Sequence, residues 1–195
     1  HVHHVAVASD ADPNSAPRGM VFYRFWPRAW VGSFQQGLQA ETRRRAGRGG
    51  VHPYVIWCGG ALACLAVGYL IGGWRGVAIY SALAGYAQMQ LLLADYVQHY
   101  GLRRRRRPDG RLEPAGPQHS WNARPWFSSA MMLNAPRHSD HHQNPGRKYP
   151  ALRLNERMMP VLPYAMPVMG AIALWPPLWR RIMDPLVDRW AAESA

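Results

Sequence analysis

Residues 53–74 read PYVIWCGGALACLAVGYLIGGW, a run of 22 residues without a charged side chain. At about 1.5 Å of rise per residue, a helix of this length covers roughly 30 Å, the thickness of a bilayer core. A second uncharged run, residues 76–94, follows after a single charged residue, Arg75. The two runs predict a hairpin of two transmembrane helices over 53–74 and 76–96. The alternative is a buried hairpin of a soluble protein, which two adjacent runs of this length disfavour.

The distribution of positive charge predicts which side of the membrane the hairpin ends face. The chain has 195 residues and a formal net charge of +12, carried almost entirely by arginine. Such a chain can bind nucleic acid or a membrane surface, and the position of the cations decides between them. The arginines cluster at 43–48 and 103–107, on either side of the apolar runs. By the positive-inside rule, both ends of the hairpin are cytoplasmic. We therefore expect an all-α integral membrane protein without a nucleic-acid partner.

A histidine motif stands in the sequence RHSDHH at residues 137–142. His138, His141 and His142 are spaced i, i+3 and i+4, which places their imidazoles on one face of a helix. Neutral imidazole is the commonest protein ligand for iron, zinc and copper, so the spacing predicts a metal site. The alternative is a polar helix surface that is rich in histidine by chance.

Further histidines stand at the start of the chain and at the end of the second apolar run. His3 and His4 are adjacent, with His1 two residues before His3. His99 lies near the cytoplasmic end of the predicted second span, four residues after Asp95. An ionisable side chain at this depth is a candidate functional residue by default, and a histidine that only caps the helix is the alternative.

Polar residues around these histidines are candidates for supporting roles. His119 is isolated in spacing, so we expect a structural role or one in holding the far nitrogen of a metal ligand. Asp95 and Asp140 are candidates for the same supporting role. Arg147 and Lys148 form a basic loop that is a candidate docking site for an acidic electron donor, and a solvated loop is the alternative.

The predicted ligands outnumber those of a tetrahedral zinc site. They suit a polynuclear or higher-coordinate iron site at the membrane face, which favours O₂ chemistry on an apolar substrate. The predicted ligands are His3, His4, His99, His138, His141 and His142.

Four motifs carry a resemblance to a known family: RHSDHHxNPxRxY at 137–149, YVQHYGL at 96–102, HSWN at 119–122 and PPLWRRIMD at 176–184. They resemble the bacterial membrane alkane 1-monooxygenases, which belong to the histidine-box membrane desaturase and hydroxylase superfamily. The resemblance implies a six-helix protein of the bacterial inner membrane with a non-haem site of two iron ions. It implies hydroxylation of the terminal carbon of a medium-chain alkane by O₂, giving a primary alcohol. Electrons would come from NAD(P)H through rubredoxin reductase and rubredoxin.

The resemblance also implies which histidines bind iron. His138, His141 and His142 match the family's last histidine box. His99 matches its Tyr-Val-Glu-His-Tyr-Gly motif, and His3 with His4 match the pair that ends its second box. His1 falls at a variable position and is doubtful as a ligand.

Other positions depart from the family pattern. Val2 replaces the glycine of the second box, and Asp95 and Gln98 stand where the family commonly has Asn and Glu, which alters the surroundings of His99. The first box, H-E-x-x-H, and four preceding helices have no counterpart in the chain. We therefore expect a C-terminal portion, 1–195, of a single domain that is inactive alone, with cytoplasmic metal-site segments at 1–20 and 99–157.

Two alternative functions stay open. One is a desaturase or hydroxylase of the same superfamily that acts on fatty-acyl or aromatic substrates. The other, from a different class, is a histidine-rich membrane protein that binds or transports metal.

Overall fold

The computed structural model of the protein describes residues 2–193. Within this range the regular structure is helical, and the only strand-like pairings are two isolated bridges, Arg106–Leu112 and Asn122–Val161. The prediction of an all-helical chain is confirmed for the described part. The α-helices are α1 (Val2–Ala6), α2 (Phe22–Arg44), α3 (Pro53–His99), α4 (Trp126–Met131), α5 (His138–Gln143), α6 (Met166–Ala173) and α7 (Pro176–Glu193).

The described residues form two compact units. Residues 31–91, here called the apolar unit, contain the predicted hairpin except for its last five residues, 92–96. Residues 2–30 together with 92–193, here called the histidine unit, contain all six predicted ligands. His1, the doubtful ligand, lies outside the described residues.

Two glycines interrupt α3 inside the apolar unit. Gly72 has φ −137° and ψ 17°, and Gly73 has φ +56° and ψ −146°, a conformation that L side chains rarely adopt. Beyond this break the backbone of Gly76 lies against that of Gly68, so a Cβ on Gly76 would overlap the carbonyl oxygen of Gly68. Residues eight apart in a straight helix are about 12 Å apart along the axis, so α3 does not run straight through the break.

Apolar side chains of α3 are exposed within the apolar unit. The most apolar 18-residue window of the helix has a mean hydropathy of 2.0 and none of it is buried. Leu70 is 82% exposed and Ile71 is 83% exposed. Among the described residues, α3 is the one helix that is long and apolar enough to cross a membrane. A soluble hairpin core would be covered by other side chains, and this one is not, which counts against the soluble alternative.

Aromatic rings form the core of the histidine unit. Tyr96 and Tyr100 follow one another at i, i+4 near the end of α3 and both are fully buried. The ring of Trp179 on α7 lies 5.2 Å from each of them, centroid to centroid. Phe25 on α2 packs on Tyr96 at 5.3 Å. Burial of such rings contributes about 2 kcal/mol or more each, so this core fixes the end of α3, and with it His99, against α2 and α7.

The core is completed by a hydrogen-bond network around the Tyr100 hydroxyl. The hydroxyl donates to Asp184 Oδ1 on α7 at 2.6 Å and accepts from the backbone N–H of Gly19 at 2.8 Å. The Trp121 indole donates to the carbonyl oxygen of Tyr100 at 2.9 Å. These bonds tie the end of α3 to the loop before α2 and to α7.

Candidate metal centre

Four of the predicted ligands converge at one point of the histidine unit. Each of His3, His99, His138 and His142 offers a ring nitrogen within 4.8 Å of the others. Nε2 of His138 lies 3.0 Å from Nε2 of His99 and 3.1 Å from Nε2 of His142. Three separate helices, α1, α3 and α5, supply these side chains.

Hydrogen bonding alone does not account for this convergence. A neutral imidazole nitrogen is either a donor with one proton or an acceptor with one lone pair. Nε2 of His138 therefore cannot make a full hydrogen bond to both of its neighbours at once. A metal ion placed between the lone pairs would satisfy all of them.

A second group of imidazoles adjoins the first. The ring of His4 lies 4.9 Å from that of His141 and 4.5 Å from that of His142, centroid to centroid. His142 also lies 4.6 Å from His138 and so belongs to both groups. The structure thus brings all six predicted ligands together in two groups that share a member.

Buried ring nitrogens test whether the cluster fits a metal. Within the described residues, His3 Nε2, His4 Nδ1, His141 Nδ1 and His142 Nδ1 are buried and have no hydrogen-bond partner. A buried polar nitrogen without a partner costs about 1–3 kcal/mol, and four in one cluster are unusual in a folded protein. Metal coordination would supply a partner for His3 Nε2, His4 Nδ1 and His141 Nδ1, so the donor set fits a metal site.

The electrostatic environment keeps most of these imidazoles neutral. Burial lowers the pKa of His138 well below its ordinary value, and the neighbouring imidazoles lower it further. Burial likewise lowers the pKa of His4 to about 4 and lowers the pKa of His141 and of His142. Their lone pairs are therefore available to a metal at neutral pH without displacement of a proton.

Asp12 holds His3 from behind. Its carboxylate lies 2.9 Å from His3 Nδ1 and is fully buried, and it also accepts from the Ser15 hydroxyl at 2.6 Å. Burial acts to lower the pKa of His3, but the hydrogen bond and the charge of Asp12 outweigh it, so the pKa is raised. The bond places the proton on Nδ1 and leaves Nε2 pointing into the cluster, which is the usual role of a carboxylate behind a metal-binding histidine.

His119 supports His99 through its backbone. The carbonyl oxygen of His119 lies 3.4 Å from His99 Nδ1, and the Ser120 hydroxyl lies 3.5 Å from the same nitrogen. The imidazole of His119 points away, with Nε2 3.0 Å from Glu113 Oε1 and Nδ1 accepting from the Gly116 N–H at 2.9 Å. The structure thus keeps the His119 ring outside the cluster, in keeping with the predicted supporting role.

Asn122 ties the helix that carries three ligands to the segment behind His99. Its side-chain oxygen accepts from the backbone N–H of Ser139 at 3.0 Å. Its amide nitrogen, which carries two N–H groups, lies within hydrogen-bonding distance of three acceptors, the carbonyl oxygens of Ser120 at 2.9 Å and Pro160 at 3.1 Å and Ser139 Oγ at 2.7 Å. Asn122 is fully buried. Because Ser139 follows His138 directly, these bonds fix the start of α5 relative to the backbone that supports His99.

In the described residues, the two aspartates proposed from sequence make their hydrogen bonds to groups other than the histidine ligands. Asp95 accepts from the side chain of Asn14 at 2.7 Å and approaches the cluster on the His3 side, where its charge helps to raise the pKa of His3. Asp140 makes no hydrogen bond to an imidazole in the described part of the chain. It binds Arg147 Nη1 at 2.5 Å and the backbone N–H of Arg153 at 2.8 Å, so it anchors the loop after α5.

The contact between Asp140 and Arg147 also involves the basic loop that was predicted as a candidate docking site. Arg147 is engaged by Asp140, whereas Lys148 is exposed. Tyr149 at the end of the loop stacks on the ring of His141, with centroids 5.1 Å apart and planes 23° apart. This stacking holds a candidate ligand whose Nδ1 has no hydrogen-bond partner.

Comparison with known proteins assigns the chain to a family and shows which proteins it is similar to. The family model that describes fatty acid desaturases matches residues 1–172. The chain belongs to the fatty acid desaturase family. This desaturase-family chain is also similar to proteins named alkane 1-monooxygenase. It is 35% identical to alkane 1-monooxygenase 2 of Alcanivorax borkumensis over 193 residues, which cover 96% of this chain and 50% of the relative.

Two further relatives show the same coverage. Alkane 1-monooxygenase 2 of Pseudomonas aeruginosa is 36% identical over 195 residues, covering 97% of this chain and 52% of its own length. Alkane 1-monooxygenase of Acinetobacter baylyi is 33% identical over 190 residues, covering 95% and 46%. The desaturase-family chain therefore spans about half the length of the curated relatives it matches.

Sequence reasoning missed several residues that hold the histidines of this desaturase-family chain in place. Asp12 falls in a stretch of turn-forming residues, and no spacing rule links it to His3. Asn122 and Tyr149 lie inside motifs that carried the resemblance, but the pattern alone gave them no role. Each acts through a contact across the fold, which the linear sequence does not display.

Proposed function

We propose that this protein is part of a membrane alkane 1-monooxygenase that holds two non-haem iron ions in its histidine cluster. The observation that carries the proposal is the pair of imidazole groups sharing His142, in a chain similar to proteins named alkane 1-monooxygenase. A zinc site usually has four tetrahedral ligands, so a cluster of more than four nitrogen ligands suits iron better than zinc.

The two groups divide the proposed ligands. His3, His99, His138 and His142 would hold one iron, and His4 with His141 would contribute to the other. When bound, the iron pair would supply the activation of O₂ that oxidation of an unactivated C–H bond requires.

The chain's own side chains orient the ligands and keep them neutral. Asp12 and the His119 carbonyl oxygen hold the far nitrogens of His3 and His99, so that both Nε2 atoms face the cluster. The surroundings of His138 lower its pKa and so keep its imidazole neutral. These are the conditions under which a preorganised site binds metal tightly.

We further propose that α3 forms two transmembrane helices joined at Gly72 and Gly73. The non-helical backbone there and the contact between Gly76 and Gly68 support a reversal of the chain. The arginines at 43–48 and 103–107 favour cytoplasmic ends for both helices, in a bacterial inner membrane. Because the chain spans about half of its relatives, we propose that the remaining spans and the remaining iron ligands lie in an N-terminal half, and that residues 1–195 alone do not turn over.

The proposed reaction converts a medium-chain alkane and O₂ into a primary alcohol, with electrons from rubredoxin and its NAD(P)H-dependent reductase. The donor would dock on the basic loop after α5, at the exposed Lys148 and the half-buried Arg147. Complementary charge raises the rate of encounter with an acidic partner.

Turnover by the full-length protein tests this proposal. The purified protein is supplied with octane, NADH, rubredoxin and its reductase, and oxygen uptake and products are measured. We expect octane-dependent oxygen uptake with 1-octanol as product, loss of both in His141→Ala, and no loss in the control His52→Ala, a histidine of the apolar unit. Zinc in place of iron, with no octane-dependent oxygen uptake, would contradict the enzyme proposal in favour of metal binding or transport.

A second candidate function is desaturation or hydroxylation of a fatty-acyl chain. The match of residues 1–172 to the model that describes fatty acid desaturases favours it. An olefin as the product, with acyl substrates and no alcohol from octane, would decide for this candidate.

A further inference from the structure

A cavity of about 300 Å³ lies in the histidine unit, on the side of His119 away from the metal cluster. Its volume is at the lower end of the range of about 300–1,000 Å³ that is typical of small-molecule sites. One wall is the segment that follows α3, and the other is the C-terminal half of α7. The charged and aromatic side chains that line the cavity include Arg18, Arg103, Arg105, Glu113, Asp188 and Trp190.

Cations outnumber anions in the wall of this cavity. Three arginines face two carboxylates, and both carboxylates are already engaged. Asp188 accepts from Arg18 at 2.7 Å, and Glu113 accepts from the backbone N–H of Arg105 at 2.9 Å and lies 3.0 Å from His119. A guanidinium carries five N–H donors, so a single carboxylate contact leaves Arg18 able to bind a further anion. Burial lowers the pKa of Arg103, which pairs with Asp10 at 3.3 Å, and Arg105 donates one N–H to the carbonyl oxygen of Ala191 at 3.2 Å, so each of these guanidinium groups also has donors beyond its protein contact.

The remaining wall is apolar and rigid. Val187 and Ala191 line it together with the indole of Trp190. The indole nitrogen donates to the carbonyl oxygen of Gln118 at 3.1 Å, which fixes the ring. The cavity therefore offers guanidinium groups beside an apolar surface, and the complementary ligand is an anion that carries a short aliphatic part.

The position of the cavity in the sequence favours one class of anion. Its wall begins at Gly101, two residues after α3 ends, and continues into the arginine run 103–107. Arginines directly beyond a spanning helix meet the phosphates of anionic lipids at the cytoplasmic surface, and basic pockets there bind lipid headgroups. Arginine is also the side chain that best matches phosphate oxygens, through paired N–H bonds.

We propose that this cavity binds a glycerophosphate group, either as the headgroup of an anionic phospholipid or as a soluble phosphate ester. The site is separate from the histidine cluster and does not depend on the proposed reaction. Its phosphate contacts Arg18 and Arg105, and its glycerol lies on Trp190.

Lipid and phosphate binding by the full-length protein, delipidated in detergent, tests the proposal. Native mass spectrometry measures binding of phosphatidylglycerol and of phosphatidylcholine, which has the same phosphate but a compensating choline cation. Glycerol 3-phosphate and inorganic phosphate are titrated in parallel by calorimetry. We expect phosphatidylglycerol to bind saturably. Phosphatidylcholine should bind at least about tenfold more weakly, because its lack of net negative charge costs the equivalent of one charge-assisted contact.

Variants with opposite expected effects make the test independent of misfolding. Arg18→Gln with Arg105→Gln weakens binding by about tenfold or more, whereas Asp188→Asn strengthens it because a competing carboxylate is removed. Arg157→Gln, an exposed arginine outside the cavity, is the control and leaves affinity unchanged. If the soluble phosphate esters bind and respond to these substitutions in this way while the lipid does not bind, the cavity is a phosphate site for a soluble ligand. No binding of any probe, or equal binding by the double variant and the control, overturns the proposal.

Discussion

Replacing Asn122 with alanine would remove the contacts that join α5 to the segment behind His99. The amide of Asn122 accepts from Ser139 N–H at 3.0 Å and donates to Ser120 O at 2.9 Å and Pro160 O at 3.1 Å. Ser120 O keeps a bond from the Ser139 hydroxyl, and Pro160 O keeps one from the backbone N–H of residue 122. The Ser139 N–H is buried in the first turn of α5 and loses its acceptor.

The magnitude follows from these losses. An orphaned buried N–H costs about 1–3 kcal/mol, and each lost N–H donor contributes about 1 kcal/mol, so we expect destabilisation of about 3–5 kcal/mol. In a domain of this size the midpoint of thermal unfolding falls by about 2–4 °C per kcal/mol, which gives a decrease of roughly 10 °C. Since His138 precedes Ser139, the variant should also bind metal more weakly.

The assay compares Asn122→Ala with Asn155→Ala in the full-length protein. Asn155 is exposed, and its side chain accepts a single bond from the Arg157 N–H at 3.2 Å. We expect this control to change stability by less than about 0.5 kcal/mol. Thermal unfolding and the absorption spectrum of the cobalt-substituted protein are measured for both variants. Equal unfolding midpoints together with identical cobalt spectra would refute the role assigned to Asn122.

Three further substitutions test other parts of the account. Asp12→Ala removes the acceptor behind His3 and should weaken metal binding about 10- to 100-fold in a chelator competition, without loss of membrane insertion; unchanged affinity would contradict the contact's importance. Gly76→Val places a side chain against the Gly68 carbonyl oxygen and should lower the unfolding midpoint of the protein in detergent, and an unchanged midpoint would argue against their close approach. Leu133 has φ +52° and is exposed, so Leu133→Asn should raise stability by up to about 1 kcal/mol by relieving left-handed strain, and a loss of stability would contradict that explanation.

Local patterns predicted the features that depend on neighbouring residues. The i, i+3, i+4 spacing of His138, His141 and His142 indicated a helical face, and α5 carries all three. The uncharged run from residue 53 indicated a helix long enough to span a bilayer, and α3 has that length and composition. In these cases the backbone geometry of a single element decides the outcome.

Contacts across the fold were not visible in such patterns. The grouping of His99 with His138, 39 residues apart, came from the predicted cytoplasmic position of both histidines and from resemblance to a family, and not from spacing. The supporting carboxylate was sought at Asp95 and Asp140, near ligands in sequence, whereas the one bound to a ligand is Asp12. A loop brings Asp12 to His3 through backbone turns that composition does not specify.

The iron content of the full-length protein decides whether the histidine cluster holds two iron ions. Protein purified from iron-supplemented cells is analysed for iron and zinc per chain, in the wild type and in the variants His141→Ala and His52→Ala. We expect about two irons per chain in the wild type and in His52→Ala, and a clear loss of iron in His141→Ala. A single zinc per chain, or full iron occupancy in His141→Ala, would contradict it.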